Sequence, residues 1–227
     1  MPFDPSKIRA ILFDVDGTLA DTDDAYIARV ANLLRPVSFL FPRRDPGPLL
    51  RWGVMTSESP LNTLMGLPDF LGIDDELVAF ANWLSDVRGH KPADRYVLME
   101  GVAPMLERLA RKYPLAVVTA RSERSITAFL EQFSLRPYFK AVASAQTVAH
   151  TKPYPDPVLW AAQQLGVPAV NCLMIGDTTV DILAGKRAGA QIIGVLCGFG
   201  ERAELEQKGA DLILERTAQL GDLLPPP

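Results

Sequence analysis

The sequence predicts an α/β protein whose core is an open sheet of parallel strands, with a helical unit inserted after the first strand. Three observations predict this fold class. Short apolar runs alternate with helical patterns over most of the chain. The runs are continuously apolar, as is typical of strands buried on both faces. Residues 20–97 interrupt the alternation with helical patterns and no convincing strand. Repeated strand–helix–strand units favour an open parallel sheet.

The first predicted strand covers residues 10–13 and runs directly into two acids in the sequence ILFDVDGTLAD. Each later strand is predicted from a short apolar run that a helical pattern or a turn signal bounds. These runs are LAVVTA (115–120), KAVASA (140–145), NCLMIGD (171–177), AQIIGVL (190–196) and ADLILE (210–215).

Two of the intervening helices have ends that the sequence identifies. In PDPVLWAAQQLG, Asp156 is the predicted N-cap, Pro157 lies in the first turn and Gly166 ends the helix. The helix in TVDILAGKRAGA ends in the same way, at Gly189. The apolar stripe predicted for the first of them consists of Val158, Leu159, Ala162 and Leu165.

Residues 20–97 are predicted to form a helical cap domain, which leaves residues 1–19 and 98–227 as the α/β core. The runs DDAYIARVANLL and DDELVAFANWLSDV have helical patterns. Between them, RPVSFLFPRRDPGP contains four prolines, which exclude one continuous helix. We therefore expect the insertion to be bent or rich in loops at this point.

Composition excludes several classes of protein. With 227 residues, 48% of them hydrophobic, and a net charge of −4, the chain has a globular composition that argues against a nucleic-acid partner. No apolar run approaches the roughly 20 residues of a membrane span, and MPFDPSKIRA lacks the features of a signal peptide. A cytoplasmic location is expected. The two cysteines, Cys172 and Cys197, are too few for a disulfide framework or a zinc site and are expected to be structural.

Polar side chains that could carry chemistry follow the predicted strands. In an open parallel sheet, functional groups collect beyond the carboxyl ends of the strands. Each group has an ordinary alternative: a turn for the Asp-Gly pair, a helix N-cap for Thr119, a solvated surface lysine for Lys152 and an exposed helix position for Asp181. Their joint placement at one edge favours a functional site. The candidates are Asp14, Asp16, Thr119 with Ala120 and Arg121 behind it, Lys152, Asp177 and Asp181.

This set of residue types suits phosphoryl transfer. Carboxylates bind a hard divalent cation, while a lysine and a hydroxyl can neutralise the phosphoryl oxygens. One carboxylate can act as the nucleophile and a second as the acid and base. Asp14 and Asp16 are candidates for these two roles, because residues two apart in a strand share a face.

Four ordered motifs, DVDGTLAD, VVTARS, TKPYPDP and GDTTVDILAGKRAGA, resemble those of the haloacid dehalogenase-like hydrolase superfamily, in its phosphoglycolate-phosphatase-like branch with a helical cap. The resemblance covers the whole α/β portion of the chain. It implies a Rossmann-like core, an inserted helical cap, and Mg²⁺-dependent hydrolysis of phosphate esters through a phosphoaspartate. The implied substrate is a small phosphorylated metabolite.

The resemblance also implies a role for each matched residue. Asp14 would be the nucleophile and a metal ligand. Asp16 would be the general acid and base, and its backbone carbonyl would also meet the metal. Thr119 would bind the phosphoryl oxygens, and Lys152 would neutralise both the nucleophile and the phosphate. The remaining implied roles are Asp177 as a direct Mg²⁺ ligand, Asp181 as a supporting acid, and Ala120 and Arg121 as substrate-binding residues, with a surface role on the following helix as the alternative for Arg121.

Other functions remain open at this point. Family members that cleave carbon–halogen or carbon–phosphorus bonds typically replace the second acid of the first motif, whereas this chain has Asp16 there. The resemblance therefore implies that phosphate esters are the substrates. A sugar phosphomutase of the β-phosphoglucomutase type shares the same core and is the competing enzyme. A phospho-accepting receiver module, or a binding protein without turnover, is the alternative from another class. The sequence does not distinguish among substrates, nor between a monomer and a homodimer.

Several other residues are expected to lie outside the site. Arg43, Arg44 and Arg51 are expected to be solvated in the proline-rich segment. His90 and His150 have no partner pattern and are expected to be structural or on the surface. The run GVLCGFG lacks a full G-x-G-x-x-G after the first strand, which indicates a loop and not a nucleotide site.

Overall fold

A computed structural model describes residues 3–21 and 96–224. Its strands form two sheets, a large one in the core and a short ribbon beside it. The strands are β1 (Ala10–Phe13), β2 (Ala20–Asp21), β3 (Val97–Leu98), β4 (Leu115–Val118), β5 (Phe139–Ala143), β6 (Cys172–Gly176), β7 (Gln191–Val195) and β8 (Leu212–Leu214).

The large sheet has six strands in the order β5-β4-β1-β6-β7-β8, and every neighbouring pair in it is parallel. This confirms the predicted open parallel sheet. The α-helices between the strands are α1 (Val102–Ala110), α2 (Glu123–Gln132), α3 (Asp156–Leu165), α4 (Thr179–Ala188) and α5 (Arg202–Lys208), and α6 (Leu220–Leu223) follows the last strand.

Strand β1 lies in the middle of this sheet and is buried on both faces. Phe13 pairs with Val117 on one side and with Ile175 on the other. Ile11 and Phe13 pack in the same apolar cluster as buried residues of α1 and α2, whereas Ala10 and Leu12 pack in the cluster that includes α3. Burial on both faces explains why all four residues of β1 are apolar.

Helix α3 differs from the prediction at two positions. Asp156 is its first residue and not its N-cap; Pro155 occupies the cap position. Leu159 is 45% exposed, so the predicted stripe was wrong at this residue. The buried face is formed by Pro157, Val158, Ala161 and Ala162, because the helix packs closely against a face of the sheet rich in small side chains. The predicted ends at Gly166 and Gly189 are confirmed, with both glycines in the left-handed region.

The two strands of the short ribbon lie at the two ends of the gap between the described ranges, at residues 20–21 and 97–98. Its strands β2 and β3 pair antiparallel, with Ala20 opposite Leu98. The sequence interpretation missed both, because a two-residue strand is too short to show a periodic pattern. Most of the predicted cap domain (20–97), with Arg43, Arg44, Arg51 and His90, lies outside the described residues, and the domain boundaries stay a prediction.

Candidate active site

A buried lysine joins two aspartates at the carboxyl edge of the sheet. Lys152 Nζ donates to Asp14 Oδ1 at 2.7 Å and to Asp181 Oδ1 at 2.6 Å. The residues are 5% or less exposed, so the surface alternatives for Lys152 and Asp181 were wrong. Asp14 directly follows β1, and its backbone N–H donates to the Ile175 carbonyl at 2.9 Å. This bond extends the ladder between β1 and β6 by one residue and fixes the position of the carboxylate.

Asp177 lies in the same cluster. One carboxylate oxygen from each of Asp14, Asp177 and Asp181 lies within 4.8 Å of the other two. Burial raises the pKa of Asp14 well above its ordinary value; the charge of Asp181 adds to this rise and Lys152 opposes it. The buried site therefore contains three carboxyl groups and one ammonium group. Clustered carboxylate oxygens of this kind fit a hard divalent cation such as Mg²⁺.

Glycines surround Asp177 closely. Its Oδ2 accepts a hydrogen bond from the Phe199 backbone N–H at 2.9 Å. A Cβ at Gly198 would lie 2.1 Å from the same oxygen, and a Cβ at Gly17 would lie 2.2 Å from it. Gly17 also has a φ of +68°, which disfavours other residues. The GVLCGFG run, to which the sequence interpretation assigned no function, therefore positions Asp177. Its glycines were the available signal.

Asp181 also caps helix α4. Its Oδ2 accepts from Thr178 Oγ1 at 2.6 Å and from the Thr178 backbone N–H at 3.1 Å. The other oxygen accepts from Lys152. One carboxylate thus links the start of α4 to the charged cluster.

Thr119 follows β4 and is 3% exposed. Its backbone N–H donates to the Ala143 carbonyl at 2.9 Å, and its Oγ1 accepts from the Arg121 backbone N–H at 3.2 Å. The N-cap of α2 is Ser122, so the helix-cap alternative for Thr119 was wrong. Ala120, between Thr119 and Arg121, is exposed.

Asp16 pairs with a different cation. Arg121 Nε donates to Asp16 Oδ2 at 2.8 Å, and Arg121 Nη2 donates to Asp16 Oδ1 at 2.5 Å. Because β1 ends at Phe13, the strand periodicity from which Asp14 and Asp16 were expected to share a face does not extend to these residues. The two acids therefore follow the end of the strand, and each has its own cation.

Arg121 packs against two aromatic rings. Its guanidinium carbon lies 4.8 Å from the ring centroid of Tyr96 and 5.6 Å from that of Phe129. Burial alone would lower the pKa of Arg121, but the hydrogen bond and charge of Asp16 outweigh it and the pKa is raised. The side chain is 11% exposed, which excludes a solvated surface role.

His150 lies away from these contacts. Its Nδ1 is 3.2 Å from Asp156 Oδ1, and its side chain is 51% exposed. This agrees with the surface role expected for it. Among the described residues, no helix combines the length and the apolar character needed to cross a membrane.

The parallel sheet, with its buried acids and lysine at the carboxyl edge, defines a Rossmann-like enzyme core. Residues 11–195 match the family model of the haloacid dehalogenase-like hydrolases. The chain belongs to this family. The resemblance in the four sequence motifs is thereby confirmed.

Named relatives of the chain are phosphatases. The chain is 32% identical to "Probable phosphatase IndB" of Dickeya dadantii, over 92% of this chain and 90% of the relative. It is 31% identical to a phosphoglycolate phosphatase of Chromobacterium violaceum, over 96% of each chain. It is 26% identical to the pyrophosphatase PpaX of Bacillus cereus, again over 96% of each. These relatives agree with the predicted enzyme class, a phosphatase of this hydrolase family.

Solved structures share the fold. A crystal structure described as a predicted phosphoglycolate phosphatase from Haemophilus somnus matches with a TM-score of 0.71, over 96% of this chain and 99% of that one. Its sequence identity is 24%, so the match supports the Rossmann-like architecture alone.

Proposed function

We propose that the protein is a Mg²⁺-dependent phosphatase that hydrolyses the phosphate monoester of a small metabolite through a phosphoaspartate on Asp14. The observation that carries this proposal is the buried contact of Lys152 with Asp14 and Asp181, beside Asp177. The phosphatases among the relatives support the reaction class. A cytoplasmic location stays a prediction.

Asp14 is the nucleophile in this proposal. Lys152 holds Oδ1, and we assign the attack to the other carboxylate oxygen, Oδ2. A bond forms between Oδ2 and phosphorus as the bond from phosphorus to the ester oxygen breaks. Lys152 and the hydroxyl of Thr119 neutralise and bind the phosphoryl oxygens.

Asp16 moves the protons. Its carboxyl group donates a proton to the departing ester oxygen. The resulting carboxylate then takes a proton from the water that attacks phosphorus, which breaks the bond between phosphorus and Asp14 and releases inorganic phosphate. Asp14 and the acid are thereby restored for another turnover.

The donor set for Mg²⁺ is made of hard oxygen atoms. Asp14, Asp177 and the backbone carbonyl of Asp16 would hold the ion, with Asp181 as the supporting acid. When bound, it would supply positive charge to the phosphoryl oxygens and to the crowded carboxylates. The close approach of Gly17 and Gly198 to Asp177 keeps that carboxylate in place for this role.

The test is phosphate release from a panel of phosphorylated metabolites, with Mg²⁺ and with EDTA. We expect Asp14→Asn to lower release by at least about 10³-fold, because the amide is not a nucleophile, and EDTA to abolish it. The matched control is Asp156→Asn, which changes an exposed acid beside His150 and should retain activity.

Release that survives Asp14→Asn or EDTA would contradict the proposal. Phosphoglycolate and pyrophosphate belong in the panel because the relatives are named for them. If a bisphosphorylated sugar activated isomerisation of a sugar phosphate without phosphate release, the phosphomutase alternative would replace the phosphatase.

A further inference from the structure

Arg121 has an unused donor beside the proposed acid. Its Nη1 is buried and has no hydrogen-bond partner. Among the described residues, it is the one buried side-chain nitrogen or oxygen atom without such a partner. A buried guanidinium nitrogen without an acceptor is costly to a fold. An acceptor that arrives with a ligand would remove this cost.

The surroundings of Arg121 keep its guanidinium in a defined position. The rings of Tyr96 and Phe129 pack against it, and the Tyr96 hydroxyl lies 3.1 Å from Ser125 Oγ. The Arg121 backbone N–H is bonded to the hydroxyl of Thr119, which we assign to the phosphoryl group. The guanidinium itself contacts both carboxylate oxygens of Asp16, the acid that we assign to the departing ester oxygen, so the leaving group of a substrate lies near this guanidinium.

The pairing of Arg121 with Asp16 conflicts with the proton transfer assigned to Asp16. Both carboxylate oxygens of Asp16 accept from Arg121, so the acid must leave Arg121 before it can serve the ester oxygen. Its departure would leave a buried cation without a partner, which is strongly unfavourable. A second anion in the site would pair with the Arg121 guanidinium after Asp16 has left it.

We propose that Arg121 binds an anionic group on the leaving group of the substrate and exchanges Asp16 for it. The unused Nη1 receives this anion first, and the guanidinium then turns from Asp16 to the substrate. The substrates are accordingly phosphate compounds whose leaving group carries a further oxyanion, a carboxylate or a phosphate. This inference rests on the proposed phosphatase function.

Two compounds of similar size test it. Phosphoglycolate has a carboxylate on its leaving group, whereas 2-hydroxyethyl phosphate has a neutral hydroxyl there. With Mg²⁺, we expect the wild-type kcat/KM to favour phosphoglycolate by about 10- to 100-fold, the usual effect of a hydrogen bond between charged groups. Pyrophosphate, whose leaving group is itself a phosphate, is assayed in parallel. Comparing its kcat/KM with that of phosphoglycolate shows whether Arg121 prefers a phosphate or a carboxylate.

Variants of Arg121 separate recognition from a structural role. Arg121→Gln should lower the preference for phosphoglycolate to about threefold or less. Arg121→Lys retains the charge without the two-pronged donor and should have an intermediate preference. The matched control Arg124→Gln changes an exposed arginine of α2 and should keep the wild-type preference.

Equal kcat/KM values for the two compounds in the wild type, with pyrophosphate no better, would overturn the inference and leave the phosphatase proposal intact. An unchanged preference in Arg121→Gln, with both values lowered alike, would show a structural role and would also overturn it. If Arg121→Gln does not fold, the wild-type ratio and Arg121→Lys still decide. If the protein releases phosphate from none of the compounds, both the inference and the proposed function are overturned.

Discussion

Asp14 and Asp16 are chemically identical and two residues apart, yet their environments differ. Asp14 is buried beside Lys152, while the side chain of Asp16 is 38% exposed and pairs with Arg121. A buried carboxylate beside an ammonium suits a fixed nucleophile. A more exposed carboxylate on an exchangeable partner suits a group that must move to carry protons. The surroundings of each acid, not its type, separate the two proposed roles.

At the residue scale, Gly198→Ala should weaken metal activation. The added Cβ would lie 2.1 Å from Asp177 Oδ2, so the carboxylate must shift from its present position. We expect the Mg²⁺ concentration for half-maximal phosphate release to rise about 10- to 100-fold, with an unchanged far-UV CD spectrum.

Gly166→Ala is the control for this substitution. Gly166 has a φ of +66°, and a Cβ at this position would enter open space, with no neighbouring atom within 4 Å. Strain should lower the free energy of unfolding by about 1–2 kcal/mol, while the Mg²⁺ dependence stays as in the wild type. If both variants have the wild-type Mg²⁺ dependence, the loop at Gly198 does not position Asp177.

Cys172 should be unreactive in the native protein. Burial raises the pKa of its thiol to about 11, so at pH 8 only about one thiol in a thousand is the reactive thiolate. We expect iodoacetamide to leave Cys172 unmodified at pH 8, and any reaction to become faster as the pH rises towards 11. Mass spectrometry of the labelled protein measures this, with the urea-unfolded chain as the reactive control. Native labelling at the unfolded rate would contradict the buried position.

At the scale of elements, helix α4 and the charged cluster depend on one side chain. The contact of Thr178 Oγ1 with Asp181 stabilises the start of the helix and orients the carboxylate that meets Lys152. Thr178→Ala removes the buried hydrogen bond to Asp181, so it should lower the free energy of unfolding by about 1 kcal/mol and should also lower kcat severalfold. Urea denaturation and phosphate-release assays measure the two effects.

Ser122→Ala is the matched control, because Ser122 caps α2 through Ser125 without touching the charged cluster. It should cost a similar free energy of unfolding and keep the wild-type kcat. Equal loss of kcat in the two variants would mean that Thr178 acts through stability alone.

At the scale of the whole molecule, β1 joins parts of the chain that are distant in sequence. It pairs with β4 and β6 and contributes to the clusters on both faces of the sheet. Leu12, fully buried in this strand, should therefore be sensitive to truncation. We expect Leu12→Ala to lower the free energy of unfolding by about 2–5 kcal/mol, measured by urea denaturation.

Leu159→Ala makes the same chemical change at an exposed position of α3. Its effect should stay within about 0.5 kcal/mol. A cost for Leu159→Ala as large as that for Leu12→Ala would contradict the orientation of α3 described above.

The strands of the large sheet were predictable because a strand buried on both faces must be apolar at every position. The first strand was predicted at 10–13 and is found there, and each later run contains most or all of the observed strand. The orientation of α3 was less predictable, since several of its faces carry apolar residues and the sheet beneath selects one. The pairing of β2 with β3 lacked a local pattern altogether.

By itself, the sequence determined the parallel sheet, the family and the set of residues at the carboxyl edge, because apolar runs, turn glycines and motif spacing are local properties. The resemblance implied that Lys152 neutralises Asp14, whereas only the tertiary structure decided that Lys152 also meets Asp181 and that Arg121 pairs with Asp16. Lys152 and Asp14 are 138 positions apart, and Arg121 and Asp16 are 105 positions apart. Such pairings depend on how the strands are ordered and how deeply each side chain is buried. Neither quantity is a property of any short stretch of sequence.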